Sequence, residues 1–287
     1  MEDIEYIIEI RNIEEFIREL PPLIQKSRDG IFYRGQSDIK YELVPSVFRG
    51  KVKRKEQNIY LKVLAECSNE FDKNMKHIDI LSKMQHYGVP TRLLDVTTNA
   101  LVALYFACDD KNNHNTDGCV YIFTPQDNEI KQFDSDTVSI LSSLPRFNEN
   151  DKNFLLKKAK EYGDCNNIDS DIEGFNNEDT VKRLLHEVKK ENPAFENIIN
   201  PKHLLRNYFI IPKKDNPRII RQSGAFIIYG LEEKEIKFNK RIKIPSNSKE
   251  TILQQLKCFG ISKATLHPEL YKFAEYVNDC ISNNIDF

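Results

Sequence analysis

One segment of this chain is apolar on every side, and it constrains the fold more than any other feature. Residues 100–107 contain only alanine, leucine, valine, tyrosine and phenylalanine, so a helix formed there has no polar face for water. Such a helix has to be covered all round, which predicts that it lies at the centre of the fold. Thr97, Thr98 or Asn99 can cap its first turn, because their side-chain oxygens accept hydrogen bonds from free backbone N–H groups.

The residues that lead into this helix carry many polar side chains. His86, Thr91, Arg92 and Asp95 all lie within a short stretch before a segment that must be buried. Building a core does not require such groups, because each of them is costly to remove from water without a partner. We interpret them as parts of a functional site beside the central helix.

Around this centre, the hydrophobic periodicity predicts an α+β protein with a compact mixed or antiparallel sheet and flanking helices. The predicted strands cover residues 31–35, 119–124, 225–231 and 241–244, and residues 91–94 are expected to be extended. The predicted helices cover residues 13–25, 55–78 as one long helix, 249–259 ended by Gly260, and 269–281.

The middle of the chain differs in charge from the rest. Residues 126–200 hold 16 acidic and 10 basic side chains, whereas the net charge of the whole chain is only −2. Short amphipathic helices are predicted at residues 153–162 and 180–190, with a loop at 164–171. We interpret residues 126–200 as a partly helical, acidic insertion in a single domain of residues 1–287. A disordered linker is the alternative.

The overall composition excludes several classes of protein. A net charge near zero gives no general signal for nucleic acid or membrane, although residues 202–221 form a local basic patch that contains Tyr208 and Phe209. The six cysteines are far apart and show no zinc-like spacing, so neither a disulfide framework nor a metal site is expected. The first residues are charged, and no run reaches the ~20 apolar residues that cross a bilayer. We therefore expect a cytoplasmic protein without membrane contact.

Several motifs together resemble those of one known family, the FRG domain, which is named after an aromatic-Arg-Gly motif. The resemblance spans most of residues 13–277 apart from the acidic insertion. It implies a prokaryotic protein that acts as a toxin or defence effector, and it brings no settled activity. The motifs that carry it are Phe32-Tyr33-Arg34-Gly35-Gln36, residues 43–49, 86–97 and 100–107, Arg221-Gln222-Ser223-Gly224-Ala225-Phe226, and residues 260–270.

The order of these motifs also resembles that of the ADP-ribosyltransferases, which act on NAD. That resemblance implies a related fold with NAD as its nucleotide and a protein or nucleic acid as acceptor. The resemblance covers Tyr33-Arg34-Gly35, residues 94–99 and Gln222. Together with the polar residues before the central helix, it gives a transferase or an NAD hydrolase whose catalytic candidates are Asp95, His86 and Gln222. The candidates for binding NAD are Tyr33, Arg34, Gly35, Thr91, Arg92 and Thr97. Where those enzymes carry a late glutamate, this chain has Gln222, which has no charge to stabilise a cationic transition state. Asp95 could supply that charge, the reaction could be slow, or the fold could only bind a nucleotide.

Each candidate residue also has a plainer interpretation. Arg34 can pair with Asp95 to hold the sheet against the central helix. His86 can be an ordinary hydrogen-bonding histidine, and Thr97 a helix cap. On these interpretations the chain is a non-catalytic nucleotide-sensing or protein-interaction module. Nucleic-acid binding through the basic patch and a metal-dependent nuclease are less favoured, since Asp95 has no paired carboxylate in the sequence and no metal is expected.

Overall fold

A computed structural model of the protein describes residues 8–24, 30–110, 113–163 and 168–267. In this part of the chain, one mixed sheet has the strand order β1-β8-β4-β2-β3-β7-β6-β5. The strands are β1 (Ile8–Glu9), β2 (Phe32–Gln36), β3 (Leu93–Thr97), β4 (Gly118–Phe123), β5 (Ile130–Gln132), β6 (Tyr208–Ile211), β7 (Gly224–Ile228) and β8 (Lys240–Ile244). Pairing is parallel between β1 and β8 and between β5 and β6, and antiparallel elsewhere.

Helices flank this sheet, so the predicted α+β class with a mixed sheet is confirmed. They are α1 (Ile13–Arg18), α2 (Pro21–Ile24), α3 (Glu56–Glu66), α4 (His77–His86), α5 (Ala100–Cys108), α6 (Asp136–Ser143), α7 (Glu149–Gly163), α8 (Ile168–Asn177), α9 (Asp179–Glu191), α10 (Pro201–Leu205), α11 (Pro217–Arg221), α12 (Lys249–Cys258) and α13 (Lys263–Leu266). The predicted helix at 269–281 lies outside the described residues.

The apolar helix α5 lies at the centre, as its composition predicts. It packs against β2 and β4, and its residues Val102, Leu104 and Tyr105 are buried in one of the three hydrophobic clusters. Asn99 is the cap, because its Oδ1 accepts hydrogen bonds from the backbone N–H groups of Leu101 and Val102. The predicted C-terminal cap of α12 is also present, since Gly260 adopts a φ of +75° just after that helix.

The long helix predicted at 55–78 is wrong. The chain forms α3, a single 3-10 turn at Ser68–Glu70, and then the separate helix α4. The apolar spacing continues through this stretch, but side chains such as that of Asp72 compete for backbone groups: its Oδ1 accepts from the N–H of Asn74 at 2.7 Å. The predicted helix at 13–25 is likewise interrupted, with α2 starting afresh at Pro21.

Residues 126–200 pack against the sheet. Helices α6, α7, α8 and α9 contribute to a hydrophobic cluster that also contains residues of α4, β6 and β7. Both predicted helices are present within α7 and α9, but the predicted loop at 164–171 is partly wrong because α8 begins at Ile168. Strand β5 adds this stretch to the edge of the sheet.

Candidate functional site

The candidate site is a cleft that opens where β2 and β3 part. The ladder between these neighbouring strands is limited to one antiparallel pair, Tyr33 with Thr97. A cavity of about 360 Å³ lies beside this point, between β2, β3, the end of α4, α11 and the start of β7. Its volume falls in the range of small-molecule sites, so the parted sheet provides a concave surface of suitable size.

The cleft brings together most of the residues that the sequence singled out. Thr91 and Arg92 do not line it, and each is only 1% exposed. The residues that do line it come from three distant segments of the chain, so the fold assembles groups that the sequence only lists separately. They are Tyr33, Arg34, Gly35, His86, Asp95, Thr97 and Gln222.

Arg34 reaches across the gap between the parted strands. Its Nη1 donates to the backbone carbonyl of Asp95 at 2.6 Å, so it holds β3 through the main chain and leaves the carboxylate to other partners. Burial lowers the pKa of Arg34, and the negative charge of Asp95 acts in the opposite direction. The Nε of Arg34 is buried and has no hydrogen-bond partner among the described residues.

The carboxylate of Asp95 is exposed and is held by a relay of side chains. Gln85 Nε2 donates to Asp95 Oδ2 at 2.7 Å, and Thr91 Oγ1 donates to Gln85 Oε1 at 2.7 Å. The Thr91 hydroxyl also accepts from the backbone N–H of Leu93 at 3.1 Å, which ties the relay to the start of β3. Thr91 therefore orients Gln85, and Gln85 orients the carboxylate.

His86 lies at the rim of the cleft, where α4 meets α11. Its Nδ1 is 3.0 Å from Asn216 Nδ2, and its backbone carbonyl accepts from Arg218 Nη1 at 3.3 Å. Because an amide nitrogen donates, Nδ1 is the acceptor in this contact, and the contact holds the imidazole at the rim.

Gln222 is fixed in the turn that leads into β7. Thr97 Oγ1 donates to its backbone carbonyl at 2.7 Å, and its Nε2 donates to the carbonyl of Leu266 at 3.1 Å. The next residue, Ser223, has a φ of +46°, a strained value for a residue with a side chain. Thr97 and Gln222 thus stabilise one wall of the cleft, and neither contributes a charge.

Arg92 is a core residue, which corrects the expectation that it binds a ligand. Its Nε and Nη2 donate to the two carboxylate oxygens of Glu56 at 2.8 and 2.5 Å, and its Nη1 donates to the carbonyl of Tyr229 at 3.0 Å. Lys152 Nζ donates to the same carboxylate at 2.6 Å. Burial raises the pKa of Glu56, but Arg92 and Lys152 outweigh that effect and lower it to about 2.

Gly35 lines the cleft and also serves helix packing, so its part in binding a ligand stays a prediction. A Cβ at this position would lie 1.9 Å from the carbonyl oxygen of Ala103 and 2.7 Å from the backbone nitrogen of Ala107. The missing side chain lets α5 approach β2 closely. Gly118 on the next strand meets α5 in the same way, with its Cβ position 2.2 Å from the Ala107 oxygen.

Sequence reasoning did not select several residues that line the cleft. Gln36 and Arg49 belong to motifs that resemble the FRG domain, and Arg218 belongs to the basic patch. None of the three was predicted as a site residue, and all three line the cleft. Arg49 Nε donates to the carbonyl of Val44 at 2.8 Å, and burial lowers the pKa of Arg49. Arg49 and Arg218 are distant in sequence from Arg34 and Asp95, and no local pattern indicates that these residues meet in one cleft.

The cleft is electropositive. Arg34, Arg49 and Arg218 line it, and among the described residues none of the three forms an ion pair with a carboxylate. Asp95 is the acidic residue of the lining, and Gln85 rather than a cation binds its carboxylate. An arrangement with three guanidinium groups and one carboxylate favours an anionic ligand.

A second cavity adjoins the cleft. Its volume is about 490 Å³, and it shares Ser82, His86, Asn216 and Phe226 with the lining of the cleft. Tyr87, which is 62% exposed, lies at its rim. The His86–Asn216 contact therefore separates two neighbouring spaces, and a ligand longer than the cleft could extend past it.

The basic patch at 202–221 does not combine basic and aromatic side chains at the surface. Tyr208 and Phe209 are 4% and 5% exposed and belong to β6. Lys213 and Lys214 are exposed, and Lys213 lies 3.5 Å from Asp215. The patch therefore presents cations without the stacking surfaces that single-stranded nucleic acid uses.

Two further properties bear on the kind of site. In the described part of the chain, histidine, cysteine, aspartate and glutamate residues do not gather in groups of three or more that could hold a metal ion. None of the described helices combines the length and the apolar character that crossing a membrane would require. The cysteines at positions 67, 108, 119 and 258 are free thiols.

Comparison with known protein families identifies one match. Residues 29–116 match the family model of the FRG domain. The matched segment contains β2, α4, β3 and α5, and with them Arg34, Gln36, His86 and Asp95, whereas Gln222 lies outside it. No curated protein and no solved structure matches the chain significantly.

Proposed function

This chain contains an FRG domain within residues 29–116, and we propose that it binds NAD or a related nucleotide in the cleft between β2 and β3 and cleaves the bond between nicotinamide and ribose. The observation that carries this proposal is the set of three guanidinium groups, on Arg34, Arg49 and Arg218, none of which is neutralised by a carboxylate within the described residues. Pyrophosphate oxygens are suitable partners for the guanidinium groups of Arg49 and Arg218, because a planar guanidinium can bind two of them at once, while Arg34 lies beside Asp95 at the reacting end of the ligand.

Asp95 provides the charge that the reaction needs. Cleavage of the glycosidic bond releases nicotinamide with the bonding electron pair and leaves positive charge on the ribose carbon. A fixed carboxylate stabilises that charge, and the Thr91–Gln85 relay holds the Asp95 carboxylate in one orientation. Water or a nucleophile of an acceptor then bonds to the ribose carbon and loses a proton, which gives hydrolysis or ADP-ribosyl transfer.

The neighbouring cavity provides space for the second half of a dinucleotide. A cleft of about 360 Å³ holds the reacting end, and the adjoining space of about 490 Å³ begins at His86. His86 lies at the rim between the two spaces, where a phosphate or ribose group of a long ligand would pass. The two spaces together fit a ligand with a polyanionic centre and a ring at each end.

The test is direct. The purified chain is incubated with NAD while thermal stability and nicotinamide release are measured, together with the variants Arg34→Gln and Arg183→Gln. Arg183 is the matched control, because it is exposed and pairs with Asp151 outside the cleft. We expect NAD to stabilise the wild type and the control, and the loss of this effect in Arg34→Gln. No stabilisation and no release with the wild type would overturn the proposal.

A nucleotide sensor without turnover is the second candidate. Gln222 favours it, because this neutral residue is tied to Leu266 at the wall where a carboxylate would assist the reaction. Binding of NAD without release of nicotinamide, in the presence and absence of cell extract as a source of acceptors, would support the sensor. Release above the uncatalysed rate supports the enzyme.

We propose in addition that the activity acts as a toxin or defence effector in a prokaryotic cell, with a protein or nucleic acid as acceptor. Induced expression of the wild type should then stop bacterial growth and lower cellular NAD. Expression of Asp95→Asn at the same level should not. Growth arrest that persists with Asp95→Asn would contradict this role.

A further inference from the structure

Gln36 is an unusual residue for the floor of a cleft. It follows Gly35 at the end of β2, it lines the cavity, and it is only 3% exposed. Neither its Nε2 nor its Oε1 has a hydrogen-bond partner among the described residues, although both atoms are buried. Leaving a buried donor or acceptor unpaired costs about 1–3 kcal/mol. Two such atoms on one side chain therefore indicate that a bound molecule supplies their hydrogen-bond partners.

We propose that Gln36 and Arg34 form a subsite for a primary carboxamide. The side-chain amide of Gln36 offers one acceptor and one donor in a plane, and a ligand carboxamide offers the complementary donor and acceptor. The buried Nε of Arg34, two residues earlier on the same strand, supplies a further donor to the ligand carbonyl. The inference rests on the proposed function, because nicotinamide is the part of NAD that carries a carboxamide.

The same geometry excludes the corresponding acid. A carboxylate only accepts hydrogen bonds, so it would satisfy Gln36 Nε2 and Arg34 Nε but would place a negative charge against Gln36 Oε1. A site that hydrogen-bonds one group rejects an analogue that leaves its buried polar atoms unpaired. The subsite therefore selects nicotinamide over nicotinate.

This assignment also orients the nucleotide in the cleft. Gln36 belongs to β2 and Asp95 to β3, so the two residues approach a bound ligand from opposite sides of the parted strands. A carboxamide held by β2 places the attached ribose between the strands, where the carboxylate of Asp95 is exposed. The other end of the ligand then extends towards His86 and the second cavity.

The experiment compares amides with acids. Binding of NAD and its nicotinic acid analogue is measured by calorimetry, and binding of nicotinamide and nicotinate by ligand-observed NMR. Wild-type protein should prefer both amides by at least about tenfold. Gln36→Leu should lose this preference. Gln254→Leu is the matched control, because Gln254 is on α12 outside the cleft, and it should retain the preference.

The outcomes separate the subsite from the proposed function. Binding of NAD without preference for the amide overturns the subsite and leaves the proposed function standing. Preference for nicotinamide by a chain that neither binds nor cleaves NAD supports the subsite and overturns the function. If Gln36→Leu does not fold, Gln36→Met keeps most of the volume and removes both polar atoms, and retained amide preference in that variant would also overturn the subsite.

Discussion

Asp95 is the residue at which binding and chemistry can be separated. In Asp95→Asn the Oδ1 atom can still accept from Gln85, so the relay and the fold are kept while the negative charge is removed. We expect NAD to bind within a few-fold of the wild-type affinity and nicotinamide release to fall by about 100-fold, the typical loss when one stabilising group of a transition state is removed.

The measurement is a steady-state assay of nicotinamide release together with calorimetric titration of NAD. Asp134→Asn serves as the control, because Asp134 is exposed and does not line the cleft. Equal losses of affinity and turnover in Asp95→Asn would mean that the carboxylate only helps to bind the ligand.

Thr91 tests whether the relay matters. Thr91→Val removes the hydroxyl that donates to Gln85 Oε1, so Gln85 and then Asp95 lose their fixed orientation. We expect turnover to fall by about tenfold with little change in KM, because small displacements of a catalytic group lower the rate more than binding. Thr91→Ser keeps the hydroxyl and should restore turnover. A Thr91→Val variant that loses only stability would show that the hydroxyl has a purely structural role.

At the scale of single residues, the sequence predicts which segments meet better than it predicts the role of each side chain. The density of polar groups between His86 and Asp95 predicted a site, and both residues line the cleft. Arg92 lies in the same segment but points into the core towards Glu56, a partner 36 positions away that no local pattern indicates. The unpaired state of Gln36 depends on the tertiary packing around it, so the sequence holds no sign of it.

At the scale of elements, α5 and β2 fit together only because the strand carries a glycine. Gly35→Ala would place a Cβ 1.9 Å from the carbonyl oxygen of Ala103, and backbone atoms of a buried helix cannot move aside as a flexible side chain can. We expect a loss of about 3 kcal/mol in the free energy of unfolding, measured by urea denaturation. In Gly163→Ala the nearest atom is a Leu205 methyl at 3.5 Å, so this control should change little. Wild-type stability in Gly35→Ala would contradict the close packing.

The elements show why some boundaries were predicted and others were not. Helix α5 was predictable because a helix that is apolar on every side has to be buried. The sequence offered Thr97, Thr98 and Asn99 as caps, and the structure selects Asn99. The break between α3 and α4 was missed, because apolar residues continue at helical spacing while the Asp72 side chain draws the backbone into a turn. The short strands β1 and β5 were not predicted, since each has too few residues to show an alternating pattern.

At the scale of the whole molecule, buried charges connect distant parts of the chain. Glu56 on α3 binds Arg92 before β3 and Lys152 on α7, so one carboxylate joins the segment that matches the FRG domain to the helices of residues 126–200. These helices also share a hydrophobic cluster with α4. The position of α4, which carries Gln85 and His86, therefore depends on residues far outside the site.

Buried titratable groups on α3 and α4 make the stability of the fold depend on pH. His77, at the start of α4, is buried with its Nδ1 2.9 Å from the Tyr60 hydroxyl, and burial lowers the pKa of His77 to about 4. In the unfolded chain a histidine has a pKa of about 6.5, so below that pH the unfolded state binds a proton that the folded state does not. The contribution of His77 to the stability of the folded state is complete above pH 6.5 and is lost as the pH falls towards 4. Glu56, with a pKa of about 2, loses its contribution in the adjoining window from about 4.5 downwards.

His77→Gln tests the upper window. The wild type should lose about 2 to 3 kcal/mol of unfolding free energy between pH 7.5 and 4.5, measured by urea denaturation at each pH. The variant starts from a lower stability because it loses the packed ring, but its free energy should fall clearly less over this range, and part of the remaining slope comes from His203, whose pKa burial also lowers. His186→Gln, at an exposed position on α9, should keep the wild-type slope. If the slope of unfolding free energy against pH is unchanged in His77→Gln, groups other than His77 cause the acid sensitivity.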